Sequence, residues 1–170
     1  TKIMNILLAM EALENGRIAL QDPVTVSANA AGMGGTQILL ETGEQQPFEV
    51  LLKSMIVGSA NDAAVAIAEH LYGSVEKFVE KMNERALELG MKDTHFVNCT
   101  GLPAEGHFTT ARDVACMAAE LIRHPAYFDY STIWMDEVKH SDGRVTSLTN
   151  TNRLTRLYEG CDGVKTGSTN

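Results

Sequence analysis

Cysteine is scarce and poorly placed for metal or disulfide chemistry. Cys99, Cys116 and Cys161 stand far apart, with no C-x-x-C pair and no histidine at ligand spacing, which argues against a metal site. Their odd number excludes a complete set of intramolecular disulfides, so they read as small buried hydrophobes and leave the compartment open. Long apolar runs are missing too, and nothing approaches the roughly 20 residues that cross a bilayer. There is no basic stripe. The 14 Lys and Arg are scattered among 22 acids, and the formal net charge is −8. That balance excludes a nucleic-acid partner and disfavours anionic lipid headgroups. The opening Thr1-Lys2 has no basic, apolar, small-residue pattern of a leader, and it reads as a cut chain.

What is present is ordinary for one soluble globular domain: 170 residues, 44% apolar and 21% charged, with no repeat, low-complexity tract or linker. Ile3, Ile6, Leu7, Met10 and Leu13 at helical spacing predict a helix packed by one face and stopped at Asn15-Gly16. Val24 to Val26 predict a short strand, and the small, glycine-rich stretch 28–35 predicts a loop. Pro47 fits the first turn of a helix whose apolar face is Phe48, Leu51, Leu52, Met55 and Ile56, broken by Gly58. An alanine-rich helix follows from Asn61 to Leu71, then one capped by Ser74, running to Leu89 and closed by Gly90. Residues 91–106 carry turn residues and no sustained period. Thr110 and Asp113 resemble a capping box before Val114, Met117, Ala118 and Leu121, with Pro125 ending that helix. Residues 133–145 alternate weakly around Ser141-Asp142-Gly143, which predicts a hairpin. The middle is thus a helical cluster with strands mainly outside it, an α/β layout.

Three short motifs bear on chemistry, and each has a bland reading. Lys165-Thr166-Gly167 is a turn by default; as a site it sets an ammonium beside a backbone that a ligand can approach closely at glycine. Ser59-Ala60-Asn61 is a helix cap by default. As a site it offers a proton-relaying hydroxyl and a carbonyl-binding amide at an interhelix corner. Lys2, in the first turn of a helix, is electrostatically misplaced; in a buried cleft the same placement depresses its pKa and makes it a usable base.

Taken together and in this order, they resemble the active-site serine penicillin-recognising enzymes, whose signature is S-x-x-K, S-x-N, K-T-G. Thr1-Lys2-Ile3-Met4 and Gly58-Ser59-Ala60-Asn61-Asp62-Ala63-Ala64 are similar to segments of the low-molecular-weight D-alanyl-D-alanine carboxypeptidases. So are Asn83 through Thr94-His95-Phe96, Gly101-Leu102, Thr110-Ala111-Arg112-Asp113 and Asp162-Gly163-Val164-Lys165-Thr166-Gly167.

The resemblance implies a β-lactamase/transpeptidase-like (DD-peptidase) fold. Residues 1–170 would supply part of a single catalytic domain, mainly its helical subdomain and the K-T-G strand. It implies a serine that attacks the penultimate D-alanine carbonyl, forms an acyl-enzyme and is inhibited by β-lactam antibiotics. Lys2 would be its base, Ser59 a proton shuttle and Asn61 a substrate-amide ligand. Lys165 and Thr166 would hold the terminal carboxylate beside Gly167, and the Ser168 N–H would form half an oxyanion hole. The substrate would be a peptidoglycan stem peptide ending in D-Ala-D-Ala. No metal or organic cofactor is implied. The location would be extracytoplasmic and peripheral to the membrane, attached only through segments outside this chain. The attacking serine falls three positions before Lys2, outside the sequence, so the 170 residues alone are expected to be inactive. No E-x-x-L-N segment lies between Asn61 and Lys165, which disfavours a class A β-lactamase. A D,D-endopeptidase of the same fold, a non-catalytic peptide-binding module and a purely structural helical protein remain as alternatives.

Overall fold

The computed structural model describes residues 1–168. The core is built around two helices, α1 (Lys2–Glu14) and α4 (Asn61–Tyr72). Sequence periodicity predicts one buried face for α1, but every residue from Ile3 to Met10 is buried. The cause is position: α1 packs against α3 (Phe48–Val57), α4, α5 (Val75–Glu88) and α6 (Ala111–Leu121), so no flank is left for water. α4 is likewise buried from Asn61 to Ala68, and its four alanines permit the close approach. Fully buried Leu51, Leu52 and Met55 of α3 and Ile67 of α4 belong to the same core, each contributing about 1.5–3 kcal/mol of transfer free energy.

Most predicted punctuation is where the residues put it. Gly58 ends α3, the Ser74 hydroxyl accepts from the Lys77 N–H at the start of α5, and Gly90 turns out of it at φ +73°. Thr110 caps α6 by accepting from the Asp113 N–H. The reciprocal half of the capping box does not form, because the Asp113 carboxylate instead binds the Asp93 N–H and the Thr94 hydroxyl. Pro125 opens a 3-10 turn (Pro125–Tyr127) that runs into α7 (Phe128–Ser131).

Two small antiparallel sheets flank the helices: β1 (Pro23–Thr25) with β2 (Gln45–Pro47), and β3 (Met135–Lys139) with β4 (Val145–Thr149). The second is the predicted hairpin around Asp142-Gly143, with its return strand reaching further than expected. Three differences have local causes. Part of the predicted 28–35 loop is a single helical turn, α2 (Ala28–Ala31), because Ser27 accepts from the Ala30 N–H in front of three helix-favouring residues. A last turn, α8 (Leu154–Leu157), follows β4. The segment carrying Lys165-Thr166-Gly167 is not a strand: among the described residues no backbone pairs with it, and side chains hold it instead.

Candidate active site

Lys2, Ser59, Asn61, Lys165, Thr166, Gly167 and Ser168 all line one cleft of about 810 Å³. The first residues of α1 and α4 both line it. Leu102, Val114 and Met117 supply an apolar flank.

Lys2 is held by two oxygens. Its Nζ donates to Asn61 Oδ1 at 2.6 Å and to the Thr100 carbonyl at 2.8 Å. Burial pushes its pKa down to about 8, opposed weakly by Cys99. A neutral amine keeps two N–H donors for those oxygens and has one lone pair free to take a proton from a third group. Thr100 is itself placed by Asn98, whose Oδ1 accepts from the Thr100 and Gly101 N–H groups. The neighbouring Cys99 thiol is unreactive by the same burial, which raises it to about 12. All three cysteines are free thiols; Cys99 is buried, while Cys116 and Cys161 are only partly so.

Asn61 is oriented from both sides. Its Nδ2 donates to the Gly34 carbonyl at 2.8 Å, and its backbone N–H donates to Thr36 at 2.7 Å. One amide hydrogen and one lone pair remain for a ligand. Gly35 lies against this amide: at φ +79°, a Cβ there would meet Asn61 Nδ2 at 2.7 Å. Gly35→Ala should therefore swing the Asn61 amide off Lys2 and slow chemistry at the cleft about 10-fold or more, with a smaller effect on stability. Turnover at the cleft and thermal melts check this, and an unchanged rate would refute it.

The loop behind Gly35 is pinned twice. Asp62, fully buried in the first turn of α4, accepts from the N–H groups of Ile38 and Leu40. On the other side Thr146 and Arg144 of the β3–β4 hairpin donate to the Ile38 and Leu39 carbonyls. Ser59 sits at φ +62°, a left-handed conformation uncommon outside glycine, and its hydroxyl has no partner among the described residues. It therefore stands ready to bond a ligand.

Across the cleft, Lys165 Nζ donates to the Thr151 hydroxyl at 3.2 Å, and Thr166 donates to the same hydroxyl at 2.7 Å. Burial, and then the nearby Lys2 charge, push Lys165 down to about 8. The structure thus gathers every residue singled out in the sequence. It adds Thr36, Thr100 and Thr151 to the lining, none of them marked beforehand. Thr151 lies between Asn150 and Asn152, a pair of turn-forming residues just after a strand, and that spacing was its one available signal.

The sequence profile of the family described as D-alanyl-D-alanine carboxypeptidase matches residues 1–170. D-alanyl-D-alanine carboxypeptidase DacF of Bacillus subtilis is 48% identical over 169 residues, covering 99% of this chain and 43% of that protein. The crystal structure of the D-alanyl-D-alanine carboxypeptidase DacD from Francisella tularensis superposes with a TM-score of 0.88 at 28% identity, covering 99% of this chain and 52% of that one. Penicillin binding protein 6B from Escherichia coli gives 0.84 at 31% identity, covering 99% and 54%. The chain spans less than half the length of the curated relatives DacF and DacC.

Proposed function

The chain belongs to the D-alanyl-D-alanine carboxypeptidase family, and on that premise we propose that it is part of a single catalytic domain that removes the terminal D-alanine from peptidoglycan stem peptides through an acyl-enzyme. The observation that carries this reading is the cleft itself, where a lysine pushed down to about 8 shares an amide with S-x-N and faces a second lysine from K-T-G. Among the described residues no helix is long and apolar enough to cross a membrane. The proposed location is extracytoplasmic, on the peptidoglycan side, with any membrane attachment supplied from outside this stretch.

The serine three positions before Lys2 gives its proton to the neutral Lys2 amine as its Oγ bonds to the penultimate D-alanine carbonyl carbon. The oxyanion is met by the N–H of that serine and of Ser168. On collapse the C–N bond breaks; Ser59 gives its hydroxyl proton to the departing amine and takes up the proton held by Lys2, which returns Lys2 to its neutral form. Water, deprotonated by Lys2, then attacks the ester and frees the serine. Asn61 has one spare amide hydrogen for a substrate carbonyl, while Lys165 and Thr166 hold the terminal carboxylate. No step calls for a metal or organic cofactor. A β-lactam presents the same carbonyl and carboxylate but no departing fragment, so it stays attached.

The protonation states set the pH dependence. Lys2 must be neutral and Lys165 charged, and both are held near 8. The two titrate as a pair. Once Lys2 loses its proton, one cause of the Lys165 shift disappears, so Lys165 keeps its charge to higher pH. Acylation should therefore climb about 10-fold per pH unit below pH 8 and level off above it. A flat profile between pH 6 and 9 would contradict Lys2 as the base.

The direct test is a fluorescent penicillin. Protein that includes the upstream serine should take up one covalent label, and residues 1–170 alone should take up none. Label on the 170-residue stretch would overturn the assigned nucleophile. Release of D-alanine from pentapeptide, compared with cleavage of a crosslinked dimer, separates carboxypeptidase from endopeptidase action.

A further inference from the structure

The three residues just before Lys165 are gripped in an unusually regular way. The Tyr127 hydroxyl donates to the Val164 carbonyl at 2.6 Å, Asn152 Nδ2 donates to the Gly163 carbonyl at 3.1 Å, and the Ser131 hydroxyl donates to the Asp162 carbonyl. We propose that Tyr127, Ser131 and Asn152 form a three-point clamp on these consecutive carbonyls and act as positioning residues for Lys165 and Thr166. The proposal rests on the function proposed above.

The donors come from three places that are themselves fixed. Tyr127 is fully buried and Ser131 is 2% exposed. Asn150 ties the group together: its Nδ2 donates to the Ser131 and Ile133 carbonyls, and its Oδ1 accepts from the Asn152 N–H. The Thr151 N–H donates to Val57 at the end of α3, which links this turn to the helical core. Three bonds to successive carbonyls fix both the location and the rotation of the backbone, which a single bond cannot do. The fit is close, since a Cβ on Gly163 would lie 3.4 Å from the Tyr127 hydroxyl. Lys165 follows directly, and from this clamped backbone its Nζ reaches the Thr151 hydroxyl.

Tyr127→Phe and Ser131→Ala each remove one donor and little volume. The double variant, in the full-length protein, should raise backbone amide exchange at residues 164–167 by about 10-fold or more, with the helical core unchanged. The KM for a peptide ending in D-Ala-D-Ala should rise about 10-fold while kcat changes less than about threefold, because the displaced pair is the one that binds the carboxylate. General destabilisation does the opposite: it lowers the active fraction, hence kcat, at constant KM. Unchanged exchange at 164–167 overturns the clamp. Faster exchange with KM unaltered overturns its positioning role. If the parent protein neither cleaves peptide nor binds penicillin, the proposed function fails, and the exchange measurement still decides whether the clamp exists.

Discussion

Replacing Lys2 by methionine in the full-length protein should lower the rate of acylation by penicillin by about three orders of magnitude or more, with no loss of fold. Methionine matches the buried stem and removes the amine proposed to take a proton from a serine one helical turn upstream. The fold should tolerate the change because the ammonium is not at ease in the native state. Its folded pKa of about 8 lies below the ordinary 10.5. Below pH 8 wild-type carries the full penalty of burying that charge, and the penalty disappears as pH rises from 8 to 10.5. At neutral pH the methionine variant should therefore melt no lower than wild-type, and any advantage should shrink towards pH 10. Lys2→Arg is the companion variant, since a guanidinium keeps the charge but cannot act as a base. It should be as inactive as the methionine variant. Acylation within 10-fold of wild-type in either would remove Lys2 from the mechanism.

Asp62→Ala should be the most destabilising polar substitution near the cleft. The carboxylate accepts from the N–H groups of Ile38, Leu40 and Ala63, all at 3.2 Å or less, at a point with no exposure to solvent. Alanine leaves those donors without acceptors, at a cost of about 2–5 kcal/mol, which corresponds to a fall in Tm on the order of 10 °C. Damage should also reach the chemistry. The strand of loop that Asp62 holds carries the Gly34 and Thr36 carbonyls that orient Asn61. Loss of acylation should persist at temperatures where circular dichroism reports a fully folded variant. A Tm within 2 °C of wild-type would show that water replaces the carboxylate and that the loop is held chiefly from the hairpin side.

Much of this was legible in the residues, for identifiable reasons. Helices announce themselves through local period and caps, which is why Ser74, Gly90, Gly58 and Thr110 fall where they were read. The one-faced reading of α1 failed because period reports which residues are apolar, not how many neighbours surround the element. Asn5 shows the difference: a polar residue inside the α1 pattern, it is fully buried and donates to the Ala64 and Cys99 carbonyls. The site was legible only through the order of three motifs, since the Lys2–Asn61 and Lys165–Thr151 bonds join segments far apart in the chain. Residues that act through backbone carbonyls left no such trace. Thr100 contributes its carbonyl, and Tyr127 acts on a carbonyl of a loop elsewhere, so nothing in their local sequence marks their task. The strand expected at Lys165 has no partner among the described residues, because a strand is a property of two segments and the sequence shows only one at a time.

The cleft draws on both ends of the described chain, Lys2 from the first helical turn and Lys165 from just short of the last described residue, while nearly all helix lies between them. Secondary structure and binding competence are therefore separate observables. A molecule whose residues 150–168 have come away keeps α1 to α6, and its far-ultraviolet spectrum scarcely changes, yet it has lost the Lys165 side of the cleft. Active fractions judged from helicity will be overestimates, and titration with a covalent ligand is the better count. The same geometry makes any ligand that bridges Lys2 and Lys165 a reversible cross-link between two segments far apart in the sequence. It should raise the melting temperature in proportion to the logarithm of its concentration and suppress proteolysis first at the C-terminal quarter.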